Sequence, residues 1–392
     1  MHENKRPKII ILGLMCRLPV AGVVLQILHY MLGFEKLGFT TYYVEWHGNW
    51  IQDPMIKSLK PTFPRIVIGD VMRTYGFEDR WICRGDQVAP GYTFGGLSYE
   101  RLLKLYKEAE AIFNVTGGHF MEAEMLLCPR RVYLESDPGI PQIKLENEDS
   151  EMCSLVSGHT HHFTFGENIY GDDSLLPKTH LKYQPTRQPV VLNLWDNISG
   201  LVARSFTTIS KWTKPRDRFI NFRGESYRWN KDVEFKKFLD LPQISKQSLE
   251  LALNGISSEE IQRLETHGWK IIDALALSSS IERYQSYIKH SRGEFTIAKD
   301  QYVRLKTGWF SDRSATYLAA GRPVVTQDTG FGHHIPTGEG LFAFQTMGDI
   351  LAAFEKINSN YKKHCNAARE IAWEYFDANK VLSNLLKSIG LQ

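Results

Sequence analysis

Cysteine is scarce in this 392-residue chain: Cys16, Cys83, Cys128, Cys153 and Cys365, five in all, scattered and odd in number. No pair has CxxC spacing, which excludes a cysteine zinc site, and the scatter argues against a disulfide framework. A reducing, cytoplasmic setting is the expectation that follows. Long apolar runs are missing too, and a membrane span needs about 20 such residues. The one suggestive stretch is 9–16, behind Lys5, Arg6 and Lys8. Arg17 cuts it short and no small-residue cleavage site follows, so it reads as a buried strand rather than a secretion signal. A charge excess is absent: 47 Lys+Arg stand against 44 Asp+Glu, net +3, too little for a dedicated nucleic-acid binder. The GxGxxG fingerprint is also absent, which removes the sequence argument for a nicotinamide dinucleotide. No internal repeat or low-complexity tract is evident.

The composition, 43% hydrophobic and 23% charged, excludes a disordered or fibrous chain. At this length two domains are expected. Residues 7–13 (PKIIILG) form a nearly continuous apolar run, as in a strand buried on both faces of a parallel sheet. A loop with Pro19 and Gly22 follows, then helical spacing over 23–37 that stops at Gly38, then a strand at 40–45. A β-loop-α-β unit thus opens the chain, as in doubly wound folds. Further strands are expected at 65–69 (RIVIG), 111–115 and 131–134, with helices at 98–109 and 120–127. Residues 185–218, polar and carrying Pro185, Pro189 and Pro215, read as a linker. A second series follows, with strands at 219–222, 269–274, 294–298 and 323–327 and helices at 231–239, 259–266, 280–291 and 312–320. Helices at 347–358, 361–372 and 377–388 close the chain. The expected fold class is α/β, two Rossmann-like domains facing a cleft, with a boundary near 195–215.

Ligands of open α/β sheets bind beyond the carboxyl ends of the strands, so polar strand ends carry the candidate sites. In the first half these are Thr116-Gly117-Gly118-His119 and Glu135-Ser136-Asp137-Pro138. His119 is a candidate general base. Glu135 and Asp137 have the spacing of an acidic metal pair and equally that of a turn before Pro138. His159, His161 and His162 suggest a metal cluster, but in a strand two share one face and the third takes the other, so no metal site is expected. In the second half, Ser311 and Asp312 are N-cap residues of a helix whose first turn holds Arg313 and Ser314. Helix-terminal N–H groups and the positive dipole end suit a phosphate. Arg313 offers a bidentate donor and Ser314 a hydroxyl. The rival reading is a plain capping cluster.

The segment 291–341 contains SRGEFTIAKD and then Ala319-Ala320-Gly321-Arg322-Pro323-Val324-Val325. It resembles the C-terminal, donor-binding domain of GT-B glycosyltransferases. The resemblance covers 219–386 and, more loosely, the opening β-loop-α-β unit. It implies a nucleotide diphosphate sugar as donor, an unidentified acceptor, and no metal or other cofactor. It implies an acceptor-side domain at 1–205, a donor domain at 206–372 and a return helix in 373–392. Carried over residue by residue, Glu294 corresponds to the sugar-contacting acid. Arg223, with Arg228 or Lys231 a few residues on, corresponds to the cations that meet the leaving diphosphate, where negative charge builds. Lys299 and Asp328 are further donor contacts, and Gly22 lets the loop 17–22 approach closely. Thr316 stands where retaining members have a ribose-binding Glu, with Asp312 one turn earlier as a substitute. The Arg/Lys loop leans towards retention. Two rival readings share the sequence: a hydrolysing nucleotide-sugar epimerase, with Glu294, Asp328 and Glu339 as carboxylates, and a non-catalytic nucleotide-binding module.

Overall fold

The computed structural model describes residues 6–46, 63–84, 91–196, 204–212 and 219–392. Apolar strand segments assemble into two sheets. The first holds β1 (Lys8–Leu12), β2 (Thr40–Glu45), β3 (Trp81–Arg84), β4 (Thr93–Gly95), β5 (Ala109–Val115), β6 (Arg131–Glu135), β7 (His161–Thr164) and β8 (Tyr183–Pro185). Their order is β4-β3-β2-β1-β5-β6-β7-β8, all pairs parallel except β3 with β4. The second holds β9 (Phe206–Lys211), β12 (Leu249–Asn254), β13 (Lys270–Asp273), β14 (Gly293–Thr296), β15 (Val324–Gln327) and β16 (Leu341–Phe344). Its order, β13-β12-β9-β14-β15-β16, is wholly parallel. Counted from β9 this is the doubly wound order, with the switch point between β9 and β14. Strands β10 (Phe219–Phe222) and β11 (Glu225–Arg228) form a separate hairpin.

Helix α1 (Ala21–Lys36) follows β1 and buries Val24, Leu28, Met31 and Phe34, spaced three and four apart. One apolar cluster runs from Ile9 and α1 through Trp195, Tyr284 and Leu318 to Leu382 and Leu386, so packed side chains join the two sheets. A second cluster, including Phe206, Trp269, Phe295 and Phe354, lies within the second half. The last helix, α6 (Ala378–Ser388), packs back on α1, where any side chain at Gly33 would overlap Leu382. The helices between are α2 (Phe63–Thr74), α3 (Tyr99–Glu108), α4 (Ile281–His290) and α5 (Asp312–Ala319). Among the described residues no helix is long and apolar enough to cross a membrane.

Several expectations are corrected. The run at 65–69 is not a strand but lies inside α2. Ile68 and Met72, four apart, are buried while Ile66 is 61% exposed, so the helical period outweighs a short apolar run. Residues 120–127 give only a short turn of 3₁₀ helix at Met125–Leu127. The expected linker contains β9, the central strand of the second sheet, whose sequence FTTISK alternates too weakly to stand out. Residues 197–203 and 213–218 of that linker lie outside the described residues. The strand expected to open the second sheet, 219–222, belongs to the hairpin instead.

The absence of disulfides is also corrected. Cys16, in the loop after β1, is bonded to Cys83 in β3, across 67 residues, with their Cα atoms 7.0 Å apart. Cys128, Cys153 and Cys365 are free. Glu45, ending β2, holds the same loop by accepting the N–H groups of Cys16 at 2.6 Å and Arg17 at 2.7 Å. Closing so long a loop restricts the unfolded chain. Cys83→Ala is therefore expected to lose about 2–4 kcal/mol in urea unfolding of the oxidised protein. Wild type and variant should converge after reduction, and peptide mapping without reductant should recover the linked pair.

Candidate functional site

The site is built where the strands of the second sheet part. β9 and β14 pair only at Phe206–Gly293 and Thr207–Glu294. Beyond that point Arg313, from the first turn of α5, spans the gap. Its Nε meets Glu294 Oε1 at 2.5 Å, Nη1 meets the Ile209 carbonyl at 2.6 Å, and Nη2 meets Thr296 Oγ1 at 2.7 Å. Glu294 is fully buried, and its second oxygen has no partner among the described residues. The sequence reading has Arg313 gripping phosphate and Glu294 touching the sugar. Each guanidinium nitrogen is instead bonded to the protein, and Glu294 is the counter-ion. The rest of the α5 start keeps its free capacity. The Ser311 hydroxyl makes no capping bond and Ser314 Oγ, wholly buried, has no partner among the described residues.

Lys299, after β14, reaches across to the first sheet. Its Nζ lies 2.6 Å from Asp137 Oδ2, in the loop after β6. Gln301 Nε2 donates to Asp137 at 3.2 Å and the Tyr302 hydroxyl donates to the same carboxylate. Trp309 Nε1 adds a bond to the Ser136 carbonyl at 3.0 Å. The Lys299 ammonium sits 4.9 Å from the centre of the Trp229 ring and 5.1 Å from that of Tyr302. Burial lowers its pKa, with Asp137 acting in the opposite sense. Lys231, which precedes a short helix at Asp232–Phe235, belongs to the same cluster. Its backbone carbonyl accepts the Phe235 N–H at 2.9 Å. Burial first, then Arg313 and Lys299, push its pKa well below the ordinary lysine value, against the pull of Glu294 and Asp137.

A second crossing joins α1 to α5: Gln26 Nε2 donates to Asp312 Oδ1 at 3.1 Å. Burial raises the Asp312 pKa to about 6. Gly22, in the first turn of α1, faces α4. A Cβ there would lie 3.4 Å from the Tyr284 hydroxyl, so it borders the same junction of the two halves.

The remaining sequence candidates lie apart from this cluster. Arg223 is exposed in the β10–β11 turn, at φ +50°, with its guanidinium 4.8 Å from the centre of the Phe222 ring. The cause is the misread strand: the loop that follows β9 is 212–218, most of it outside the described residues, and not 223–231. Arg228 is exposed on the same hairpin, its N–H bonded to Asp300 at 2.9 Å. Asp328 staples a turn, accepting Lys306 at 3.0 Å, Gln345 at 2.8 Å and the Gly330 N–H at 2.8 Å. His119 is 1% exposed and its Nε2 accepts the Trp46 N–H at 3.3 Å, which occupies one nitrogen a general base would use. His159, His161 and His162 bond separately, to Asn114, Thr160 and the Val156 carbonyl. Glu135 does not join Asp137. It is buried, bonded to Thr164 at 2.7 Å and to Gln142, and burial lifts its pKa to about 7. Among the described residues the one triad with metal-ligand spacing is Cys16, Glu45 and Cys83, two of which are bonded to each other.

The residues that sequence reasoning missed are Gln26, Asp137 as a clasp, Gln301 and Tyr302. Their partners lie more than 160 residues away, and no local pattern marks such pairs.

No protein-family model matches the chain, and no curated protein matches it in sequence. Solved structures do match. An α-glucosyltransferase in complex with UDP and a 13-mer DNA containing an A:G mismatch has a TM-score of 0.59 at 11% identity, over 99% of this chain and 100% of that one. Anabaena HepE in complex with UDP and glucose gives 0.56 at 11%, over 98% and 100%. TarM gives 0.54 at 9%, over 99% of both chains. The likeness runs the length of the molecule, and the fold is GT-B.

Two outcomes follow from the buried charges. Removing the guanidinium leaves Glu294 charged, buried and unpaired, so Arg313→Ala should lose about 3–5 kcal/mol of stability. Adding Glu294→Gln should recover part of that loss in thermal unfolding. Glu135 has a folded pKa raised to about 7, so its contribution is fullest when protonated and is lost as pH rises through that value. Glu135→Gln mimics the protonated form. It should match wild type near pH 4 and exceed it at pH 8 by about 2–4 kcal/mol, read from denaturant midpoints across pH.

Proposed function

We propose that this protein transfers a sugar, a hexose in the first instance, from a nucleoside diphosphate sugar to an acceptor. The observation that carries the reading is the start of α5 at the switch point. It combines first-turn N–H groups and a buried Ser314 hydroxyl without a partner among the described residues, with Lys231 near enough to Arg313 in the same turn to feel its charge. A helix N-terminus with a nearby cation suits a diphosphate. The matching structures hold UDP, and HepE holds UDP with glucose, so uridine diphosphate hexoses are the first donors to try.

In this proposal the diphosphate lies against the first turn of α5. Lys231 compensates the charge that builds on the leaving diphosphate as the glycosidic bond to it breaks. Such stabilisation lowers the barrier because it grows towards the transition state. Arg313 and Glu294 hold β9, β14 and α5 in register around the donor, and Lys299 and Asp137 bring the first sheet to it. Side chains and helix N–H groups supply the positive charge, so the proposed transfer uses no bound metal. Arg223, Arg228, Asp328 and His119 take no part.

Thermal shift with UDP-, GDP-, ADP- and dTDP-sugars tests donor binding, since a ligand at a hundredfold its Kd adds about 2.7 kcal/mol. Product analysis with the stabilising donor should give transfer or slow hydrolysis. Epimer formation, or binding without turnover, would overturn the proposal. With a working donor, Lys231→Ala should lower kcat by about 10²–10³ and raise KM less. An unchanged kcat would remove Lys231 from the mechanism.

A further inference from the structure

A second polar cluster stands at the carboxyl end of the first sheet. β2 and β3 pair in parallel, and their register sets Glu45 against Cys83. Register partners on neighbouring strands point to one face, so the carboxylate and the sulfur share a side of the sheet. Cys16 arrives on that side from the loop after β1. One ligand atom from each of the three residues lies within 4.8 Å of the others, and all three residues are buried. The carboxylate is held in place: it accepts the Cys16 and Arg17 N–H groups and the Tyr43 hydroxyl, and that hydroxyl accepts the Met15 N–H at 2.8 Å. A disulfide draws nothing from a carboxylate beside it. Two cysteine sulfurs and a carboxylate fixed by outer hydrogen bonds are, in contrast, the ligands and the support that a zinc-like ion takes.

We propose that the reduced protein binds one borderline-soft dication, Zn2+ in the first instance, through Cys16, Cys83 and Glu45. The disulfide and the ion are then alternative clasps for the loop after β1. Thiolates select such an ion over Mg2+ or Ca2+, and three protein ligands with one water complete its tetrahedron. The exchange balances in two steps. A dithiol reductant gives two electrons and two protons to the S–S bond, which breaks into two thiols while the reductant closes as its own disulfide. Each thiol then releases its proton to solvent, and the two thiolates and the ionised Glu45 bond the dication. Two sulfurs on one tetrahedral ion stand about 3.8 Å apart, and Cα atoms 7.0 Å apart leave room for that opening. In a reducing setting, where a disulfide does not persist, the ion keeps the loop tied to β3. Neither clasp uses a residue proposed to meet the donor.

Titration of the reduced full chain with Co2+, after the dithiol is removed under argon, tests it. Wild type should take up one Co2+ per chain with thiolate-to-cobalt charge-transfer absorption. Zn2+ should displace the cobalt, and a disulfide oxidant should release one Zn2+ per chain. Cys83→Ser should abolish the absorption, and Glu45→Gln should weaken affinity by at least about tenfold. A chain carrying Cys128→Ala, Cys153→Ala and Cys365→Ala together should keep both the absorption and the affinity. X-ray absorption of zinc-loaded wild type, which needs no substitution, should count two sulfur ligands at about 2.3 Å. Any one of four results overturns the proposal: no thiolate absorption in reduced wild type, absorption that survives Cys83→Ser, unchanged affinity in Glu45→Gln, or a zinc shell with no sulfur or more than two. Loss of binding in the triple variant moves the ion to the other thiols and overturns it as well.

Discussion

The second sheet depends on one buried ion pair. Parallel strands at a switch point diverge, because the chain leaves β9 for one side and returns as β14 for the other. Here the two share only two residue pairs before they part. The Ile209 carbonyl would then be buried without a partner, at a cost of about 1–3 kcal/mol, and the Thr296 hydroxyl would keep only Thr208. Arg313 meets both and takes its charge balance from Glu294 in the same strand. The planar fork of arginine can serve three acceptors at once, which lysine cannot. Arg313 thereby ties the first turn of α5, the helix start proposed for the diphosphate, to β9 and β14, while Ala315, Tyr317 and Leu318 seat the rest of the helix in the core.

The relation between the two halves follows from contacts of a different kind. Asp137 receives Lys299, Gln301 and Tyr302, and Asp312 receives Gln26. The first three tie the loop after β6 to the segment after β14, and the last ties α1 to the first turn of α5. Behind them the apolar cluster running from α1 to α6 supplies the bulk of the adhesion. The polar contacts add direction, since a carboxylate with three donors has few orientations open to it. Glu45 and the bond between Cys16 and Cys83 do the same for the loop after β1. The crevice is thus bordered by segments that are each tied at several points.

Much of the fold was legible because strong local signals agree. β1, α1 and β2 follow a continuous apolar run, a helical period ending at Gly38, and a β-branched strand. α5 and β15 follow an N-cap pair and the Gly-x-Pro turn. The failures are equally physical. Residues 66–68 are apolar in a row, yet only Ile68 is fully buried in the core. β9 is half hydroxyl, and its two threonine hydroxyls are satisfied by Ser291, Tyr317 and Thr296 from distant segments. That single miss displaced the reading of the next strand, and Arg223, assigned from it to the leaving diphosphate, stands exposed in the hairpin turn. The disulfide was invisible because scattered cysteines give no spacing, and their proximity is a property of the sheet order.

The site was legible as a set of residue types but not as a set of roles. Helix-start spacing marked Arg313, and the resemblance to GT-B glycosyltransferases marked Glu294, Lys299 and Lys231. They could not tell which of these face a ligand. What separates them is the partner each acquires on folding. A cation matched to a carboxylate within the protein is part of the frame, however close it lies to a helix N-terminus, because turning it outward would strand a buried charge. A cation left without a match in the same cluster retains its capacity for an incoming anion. By that criterion Arg313 and Lys299 belong to the frame, and the proposed function leaves Lys231 for the ligand. Arginine, never deprotonated in proteins, suits the permanent buried pair with Glu294, which must keep its charge whatever enters the crevice.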